Sequence, residues 1–351
     1  MQAPERSVLH VLPHPGGGGE THVTLLGEMG GYRFSRIYLA PSATPALRQL
    51  ARGVVEAIRH ARRHDVLHVH GEVAAGLCLP LLATRASVVT LHGLNLVRRL
   101  SGARRTAAVL NLRAVLRAAD RAICVSETEH AELVRAVGSR AARGAVVIRN
   151  GVFLPARASE SERAEARREL GIGESEVVGI WVGSLDEHKN PLAAVRAARE
   201  ADVTLVVVGD GPLRRQVEQT ADEHIRVLGQ RSDVPRLLAA ADLYLHTSRR
   251  EGLALSLLEA MAHGLAPVVT DLPENVEAVG DAGVCVGSDD NSVTAGLRRL
   301  ATNSRERADF GARASQRVSR RFDATDMARR TRALYDEVLV FGRASNRIYA
   351  A

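Results

Sequence analysis

Short apolar runs rich in β-branched residues alternate with amphipathic stretches along the first half of the chain. The apolar runs have the length of strands, and the amphipathic stretches have the spacing of helices that cover a sheet. The predicted strands are SVLHVL (7–12), DVLHVH (65–70), SVVTLH (87–92) and AICVS (122–126), and the clearest predicted helices cover 46–63 and 105–119. Strands that alternate with helices predict a parallel sheet with right-handed crossover connections.

The same alternation starts again after residue 145, which indicates a second domain. A strand, a Gly turn and a Pro cover 145–155, and we place the link between the domains near Asn150–Pro155. A charged helix is predicted over 158–170, strands over 177–185, 202–212, 225–230, 241–248 and 266–271, and a long last helix over 324–342. The predicted fold class is α/β, with two doubly wound, Rossmann-like αβα domains, 1–150 and 151–330. Ligands are expected at the carboxyl ends of the strands, in a cleft between the domains.

Composition agrees with this organisation and adds an uneven charge. The chain has 351 residues, enough for two domains of ordinary size. Residues 1–150 contain 20 Arg and 10 acidic residues, a balance of +10, whereas residues 151–351 contain 27 basic and 30 acidic residues, a balance of −3. The basic first half favours an anionic substrate, a membrane surface or a solvated Arg-rich face as its explanation. No nucleic-acid-binding signature accompanies the charge, so no nucleic-acid partner is expected.

Cysteine usage and hydropathy indicate a cytoplasmic protein. Cys78, Cys124 and Cys285 are far apart and lack ligand spacing, so free thiols in a reducing compartment are expected. The N-terminal apolar run is short and ends in a Pro/Gly-rich break, which is typical of a strand and a turn and not of a signal peptide. No apolar run approaches the roughly 18 residues that span a membrane.

The segment HTSRREGLALSLLEAMAHGLAPVVTD (246–271) is the most informative motif. Seven residues separate Glu251 from Glu259; Glu251 is predicted in the loop before a helix and Glu259 about two turns into it. A helix that begins near Gly252 offers free backbone N–H groups and its positive dipole end to a phosphate. A carboxylate can accept two hydroxyl hydrogen bonds. Taken in isolation, Glu259 would be a surface helix residue and Glu251 an acidic residue that favours the helix dipole.

The whole segment resembles the donor site of the retaining glycosyltransferases of family 4. These enzymes have the GT-B fold and an E-x7-E pattern followed by A-x-x-x-G-x-P-V-V. The resemblance implies that Glu251 holds the transferred sugar and Glu259 the ribose. The helix start belongs to the same donor site, with Gly252, Leu253, Ala254 and Leu255. The resemblance also implies that the first domain binds the acceptor, that the second binds the donor, and that residues 331–351 form a helix that packs back on the first domain.

The stretch GSLDEHKNP (183–191) contains the only lysine of the chain, beside 46 arginines. It resembles the family segment in which an arginine and a lysine bind the diphosphate, and Lys189 is at the lysine position. The compact charge of lysine is not interchangeable with the planar fork of arginine, although one lysine codon kept by chance is the alternative. Ser184 stands where the family usually has arginine. Its hydroxyl can donate one hydrogen bond, and Arg249 or Arg250 beside the loop can supply the missing charge.

Three further segments resemble family landmarks. IRVLGQ (225–230) implies that Val227, Leu228 and Gly229 lie next to the base, and PHPGGGGETH (13–22) implies a Gly-rich loop against the sugar or diphosphate. That loop contributes Gly16, Gly17 and Gly18, and Glu20 opens a helix near the acceptor. VVTLHG (88–93) implies that His92 lies beside the transferred sugar. The alternative for the first segment is a buried strand with a turn, for the second a flexible turn, and for the third a structural histidine.

Two other kinds of site are considered and rejected. A dinucleotide-binding G-x-G-x-x-G motif requires a third glycine. After Gly209-x-Gly211 that position is Arg214, and in the N-terminal glycine run it is Thr21. His68 and His70 alternate on a strand, and without a third ligand we interpret them as residues at the edge of the core and not as a metal pair.

The sequence therefore predicts a retaining glycosyltransferase with Glu251, Lys189 and His92 as its catalytic residues. No cofactor and no metal are expected, since no Asp-x-Asp cluster accompanies the donor elements, and the co-substrate is a UDP-, GDP-, ADP- or dTDP-sugar. The alternatives are a sugar-nucleotide 2-epimerase on the same fold, a non-catalytic sugar-nucleotide-binding module and a pyridoxal enzyme that uses the lone lysine.

The acceptor is left open between two classes. RRLSGARR (98–105) in the basic first domain favours an anionic glycan or lipid, or peripheral membrane contact. The absence of a long basic amphipathic helix with Trp or Phe anchors favours a natural product, such as an oligosaccharide antibiotic. The oligomeric state is also left open.

Overall fold

The computed structural model describes residues 6–28, 30–42, 46–156 and 159–348, with side chains as far as residue 341. The chain divides into two units, one made of residues 1–150 together with 324–351 and the other of residues 151–323. Each unit is α/β with a six-stranded parallel sheet, so the predicted fold class is confirmed.

The sheet of the first unit has the strand order β2-β1-β3-β4-β5-β6. Its strands are β1 (Ser7–Leu12), β2 (Arg33–Tyr38), β3 (Val66–His70), β4 (Ser87–Thr90), β5 (Arg121–Cys124) and β6 (Ala145–Val147). The helices between them are α1 (Gly17–Gly27), α2 (Leu47–Ala61), α3 (Glu72–Leu77), α4 (Leu79–Leu82), α5 (Asn95–Arg99), α6 (Gly102–Ala118), α7 (Glu127–Val137) and α8 (Ser139–Ala142). The direction of winding reverses between β1 and β3, which makes this pair the switch point of the first sheet.

The sheet of the second unit has the strand order β12-β11-β10-β7-β8-β9. Its strands are β7 (Val178–Val182), β8 (Thr204–Val208), β9 (Ile225–Gly229), β10 (Leu243–His246), β11 (Ala266–Thr270) and β12 (Val284–Val286). Its helices are α9 (Glu160–Glu169), α10 (Pro191–Ala201), α11 (Arg214–Thr220), α12 (Val234–Ala240), α13 (Leu255–Ala262), α14 (Pro273–Val279), α15 (Asp290–Thr302) and α16 (Ser304–Arg321). Here the winding reverses between β7 and β10, so ligand-binding loops are expected after these two strands.

The last helix, α17 (Ala324–Ile348), belongs to the first unit although it follows the second in sequence. It covers one face of the first sheet, where Met327, Ala328 and Tyr335 pack in a buried cluster with residues of the strands. The Tyr335 hydroxyl lies 2.6 Å from Nδ1 of His68 on β3. The chain therefore returns to the first unit, as the family resemblance implied.

Each sheet is buried by apolar residues on both faces. The opposite face of the first sheet packs mainly against α2, α3, α6 and α7, and the core of the second unit is built around Leu205, Leu245 and the side chain of Trp181. Strands buried on both faces read as continuous apolar runs, which is why most of them were visible in the sequence. Among the described residues, no helix has the length and apolar character needed to cross a membrane.

Candidate donor and acceptor sites

Lys189 and Glu251 meet at the switch point of the second sheet. Lys189 lies in the loop after β7, and Glu251 lies in the loop after β10. The Lys189 Nζ donates to Oε1 of Glu251 over 2.5 Å. The side chain of Glu251 is 9% exposed and that of Lys189 is 26% exposed, so the pair is shielded from water but open to a ligand on the lysine side.

The loop that carries Lys189 is fixed by hydrogen bonds to its backbone. Oδ1 of Asp186 accepts from the backbone N–H groups of His188 (2.8 Å) and Lys189 (3.0 Å). From the neighbouring β10 loop, the Thr247 hydroxyl donates to the carbonyl oxygen of Asn190 over 2.8 Å. The ammonium group of Lys189 is therefore presented from a rigid turn.

The environment of Glu251 keeps its carboxyl group ionised. Burial raises the pKa of Glu251, but Lys189 and Nε2 of His246, which is 3.1 Å from Oε1, outweigh it and hold the pKa well below its usual range. An ionised carboxylate only accepts hydrogen bonds, which suits sugar hydroxyl groups. His246 ends a predicted strand and was not recognised from the sequence; its signal was a polar residue at the carboxyl end of a buried strand.

The structure gives the predicted phosphate contacts a different arrangement. Ser184 is exposed, and its hydroxyl already donates to Oδ2 of Asp186 within the same loop. The guanidinium group of Arg250 contacts the His188 ring, with Nη2 3.1 Å from Nε2, whereas Arg249 is exposed. Both arginines contact the Lys189 loop, Arg249 through its backbone N–H to the carbonyl oxygen of His188 and Arg250 through its side chain, so Arg250 is the one whose guanidinium group lies against the loop.

Helix α13 begins three residues later than the sequence suggested. It starts at Leu255 with Ala254 as its N-cap residue, whereas Gly252 and Leu253 form a bend before it. The φ and ψ angles of Ala254, −69° and 116°, are extended and end the loop. Glu259 is therefore the fifth residue of the helix, just over one turn from its start and not two turns.

Glu259 is a partly buried acid whose carboxyl group has no hydrogen bond to any residue that the structure describes. Burial raises its pKa to about 7. A carboxyl group in this state gains a favourable interaction when a diol donates to it, because the ionised form then recovers hydrogen bonds that burial removed. The ribose contact implied for Glu259 stays a prediction.

Close backbone contacts shape the carboxyl ends of β7, β8 and β9. A side chain at Gly209 would place its Cβ 1.8 Å from the carbonyl oxygen of Gly183, and the φ angle of Gly209 is 138°. The Gly209 N–H donates to the carbonyl oxygen of Gly229 over 2.8 Å. Gly229, predicted beside the base, thus ends β9 at this edge, and Val227 and Leu228 precede it in the half-buried part of the strand.

In the first unit, the predicted Gly-rich loop is largely the first turn of a helix. Gly16 is the N-cap residue with φ 81°, and α1 includes Gly17 and Gly18. The Gly16 N–H donates to Oε2 of Glu20 over 2.5 Å, and the Tyr38 hydroxyl donates to Oε1. These bonds, that from Tyr38 foremost, lower the pKa of Glu20. The Glu20 carboxylate therefore supports its own helix start, and its predicted contact with an acceptor stays a prediction.

His92 lies just after β4 in a left-handed backbone conformation with φ 57°. Two buried acids hold the turn that follows it: Glu129 accepts from the Gly93 N–H, and Oε2 of Glu72 accepts from the Leu96 N–H over 2.8 Å. Burial raises the pKa of both carboxyl groups to about 7. Neither acid was recognised from the sequence, where they look like ordinary residues of the first helical turn.

Five histidines form one cluster in the first unit: His10, His22, His68, His70 and His92. Nδ1 of His10 is 2.9 Å from Nε2 of His70, and Nδ1 of His70 is 3.0 Å from Nε2 of His92. His68 and His70 are 0% and 1% exposed. They are therefore fully buried and not at the edge of the core, because α1 and α17 cover this face of the sheet.

Comparisons with known proteins agree with this architecture. The model of Glycosyltransferase Family 4 matches residues 8–154, and that of Glycosyl transferases group 1 matches residues 176–303. The chain is 21% identical to Anabaena HepE in complex with UDP and glucose, with a TM-score of 0.77 over 93% of this chain and 98% of HepE. It is 20% identical to sucrose-phosphate synthase from Thermosynechococcus elongatus, with a TM-score of 0.79 over 95% and 99% of the two chains. These structures show the shared fold.

Named relatives cover different shares of the chain. D-inositol 3-phosphate glycosyltransferase of Salinispora arenicola is 30% identical over 296 residues, which are 74% of this chain and 64% of that protein. N-acetyl-alpha-D-glucosaminyl L-malate synthase of Bacillus anthracis is 29% identical over 191 residues, 51% of this chain, and the match spans 50% of that relative's length. With both units matched, the chain belongs to glycosyltransferase family 4 and has the GT-B fold.

Proposed function

We propose that this protein transfers a sugar from a nucleotide diphosphate sugar to an acceptor hydroxyl with retention of anomeric configuration. The observation that carries the proposal is the ion pair of Lys189 and Glu251 at the switch point of the second sheet. In this proposal the Lys189 ammonium binds the diphosphate and the Glu251 carboxylate accepts hydrogen bonds from the sugar hydroxyl groups. The two residues lie on loops at which ligands bind in open α/β sheets.

The reaction breaks the bond between the anomeric carbon and the diphosphate oxygen and forms a bond from that carbon to the acceptor oxygen. The acceptor proton leaves with the diphosphate. In this proposal the Lys189 ammonium and the N–H groups at the start of α13 stabilise the negative charge that develops on the leaving group. Glu251 orients the sugar and stabilises its positive charge, and Glu259 holds the ribose. His92 contacts the transferred sugar.

We propose a uridine nucleotide as the first donor to test. HepE, which shares the fold, has been crystallised with UDP and with UDP-glucose. A thermal-shift panel of UDP-, GDP-, ADP- and dTDP-sugars tests the choice, because a ligand that binds the native state raises its apparent stability. Stabilisation by one base alone identifies the donor, and no stabilisation by any of the four contradicts a sugar-nucleotide enzyme.

Product analysis separates transfer from epimerisation. We expect slow hydrolysis of the donor without an acceptor, transfer with one, and an anomeric configuration in the product equal to that of the donor by NMR. Efficient formation of an epimerised free sugar without acceptor would instead establish the 2-epimerase. Glu251→Gln should abolish transfer while nucleotide binding persists. Lys189 remains in this variant to bind the diphosphate and loses only the carboxylate with which it pairs in the ligand-free protein.

For the acceptor we propose a lipid-linked or otherwise anionic substrate at a membrane surface. Helix α2 exposes Leu47 (81%), Val55 (47%) and Ile58 (38%). Exposed arginines accompany them on the same helix and just after it, at 48, 52, 59, 62 and 63. Apolar and basic side chains on one surface helix are typical of interfacial binding, although this helix lacks the Trp or Phe anchors whose absence favoured a natural product.

Vesicle co-sedimentation tests this choice of acceptor surface. We expect binding to vesicles with anionic lipid and little binding to neutral ones, with the difference falling as salt is raised. The substitutions Leu47→Ser and Val55→Ser should weaken binding without affecting donor stabilisation. No binding to either vesicle type would favour a soluble natural-product acceptor, as expected for an antibiotic-tailoring enzyme.

A further inference from the structure

We propose that His22, His70 and His92 of the first unit form a binding site for one divalent transition-metal ion of the kind that prefers imidazole, with Zn²⁺ as its representative. One ring nitrogen of each residue lies within 4.8 Å of those of the other two. The three rings come from α1, from the end of β3 and from the turn after β4. Three imidazole ligands with an open position are a known arrangement for such ions.

The hydrogen bond of His22 leaves its second ring nitrogen available to a metal ion. Its Nδ1 is 3.0 Å from Oδ1 of Asn150, so Nδ1 carries the proton and donates to that oxygen. Its other nitrogen, Nε2, then has a free lone pair, and this atom is buried without a hydrogen-bond partner among the described residues. A ligating histidine characteristically donates its second N–H to a carbonyl or carboxylate oxygen.

His70 and His92 supply the other two ligands at a suitable separation. Nδ1 of His70 is 3.0 Å from Nε2 of His92, and two nitrogens that bind Zn²⁺ tetrahedrally at about 2.0–2.1 Å are roughly 3.3 Å apart. Only a small opening is needed.

Proton balance also permits metal binding. An ion between His70 and His92 would replace the hydrogen bond that joins them, so neither of the two facing nitrogens can carry a proton. His70 then carries its proton on Nε2 and donates it to Nδ1 of His10, 2.9 Å away. All the rings stay neutral.

A second group of three rings shares His70 but is less suited to a metal ion. It consists of His10, His68 and His70. Both nitrogens of His68 already have partners, the hydroxyls of Tyr335 at 2.6 Å and Thr90 at 2.7 Å. All three of its residues are buried, whereas His92 is only half-buried and offers a route for an ion and for a fourth ligand from solvent.

Metal binding has a consequence for His92 that rests on the proposed function. A ring that coordinates an ion no longer contacts the sugar, so the ion would inhibit transfer. Binding itself is independent of that function and is tested without an activity assay.

The test is a titration of chelator-treated protein with Co²⁺, which reports four-coordinate binding by its visible absorption bands, followed by displacement with Zn²⁺. We expect one ion per chain. His22→Gln and His92→Gln should each lose the bands. His92 lies on a half-buried turn, so His92→Gln is the second variant if His22→Gln unfolds. His130→Gln, a half-buried histidine outside the cluster, is the matched control and should bind as the wild type does.

The outcomes are distinct. Loss of the bands in both cluster variants, with folding verified by circular dichroism in chelator, supports the site. Retention of the bands in His92→Gln overturns it, as does loss in His68→Gln with retention in His22→Gln, which would place the ion in the more buried group. Absence of any Co²⁺ bands in the wild type also overturns it, whether or not the protein transfers sugar.

Discussion

Replacing Lys189 with Ala is the sharpest test of the donor site. The substitution removes the cation 2.5 Å from the buried Glu251 carboxylate. Breaking a buried ion pair by removal of one partner generally costs about 3–5 kcal/mol, because it leaves an uncompensated charge. His246 remains 3.1 Å from the same oxygen and Lys189 is 26% exposed. We therefore expect a smaller loss in the free energy of unfolding, about 2–3 kcal/mol.

The assay is thermal unfolding with and without donor. For a protein unit of this size the expected loss corresponds to a decrease in Tm of roughly 5–10 °C. The pKa of Glu251 is lower in the folded than in the unfolded protein. The stabilisation by the pair is thus fully present above the unfolded pKa of about 4.3 and is lost as the pH falls through the folded pKa. The Tm difference between wild type and variant should therefore shrink below about pH 4.

Donor binding provides the second measurement on the same variant. A saturating sugar nucleotide should raise the Tm of the wild type and leave that of Lys189→Ala unchanged, because the diphosphate has lost its cation. Lys189→Arg is the matched control; it should keep most of the stability and recover only part of the donor effect, since the guanidinium group has a different shape. Unchanged Tm and unchanged donor stabilisation in Lys189→Ala would refute the role of this pair.

Three further predictions follow from the same sites. The affinity for a nucleotide diphosphate sugar, measured by calorimetric titration, should increase as the pH rises through about 7, where the Glu259 carboxyl group ionises. Glu259→Gln should flatten this pH dependence, and an unchanged dependence in the variant would contradict the ribose contact of Glu259. Gly209→Ala should lower the free energy of unfolding in urea by about 3 kcal/mol or more, because its Cβ would be 1.8 Å from the Gly183 carbonyl oxygen. Gly144→Ala is the control and should be nearly neutral, because its Cβ meets only an ordinary contact at 3.9 Å. Glu129→Ala leaves two backbone N–H groups without their acceptor and should cost about 2–4 kcal/mol, with Glu129→Gln losing less; equal Tm values for the two variants would count against this hydrogen-bonding role.

The alternation of apolar runs was enough to predict the fold class, because strands buried on both faces leave a continuous apolar signature. The strands that the pattern did not show are edge strands. β2 is largely exposed or half-buried, and β12 is only three residues long, so neither has the run of buried positions on which such a reading depends.

Some residues of the candidate site could likewise be found from the sequence, and others could not. Lys189 and Glu251 were found separately, through the lone lysine and the spacing of the acids, but their ion pair spans 62 positions and depends on which strands are neighbours. Glu129 belonged to no motif, and His246, the first residue of the segment 246–271, was assigned no role there. Their importance comes from burial and from the backbone groups and charges around them, which a single sequence does not display.

The position of α17 has a consequence for how the chain folds during synthesis. The second unit is contiguous, from residue 151 to 323, and its two ends are joined where the Val152 N–H donates to the carbonyl oxygen of Phe322 over 2.8 Å. It can complete its contacts while α17 is still in the ribosome. The first unit is made earlier but lacks the helix whose Tyr335 packs against His68. The unit whose strands are synthesised first is therefore completed after the second unit, and it presents an uncovered apolar sheet face until α17 has left the ribosome.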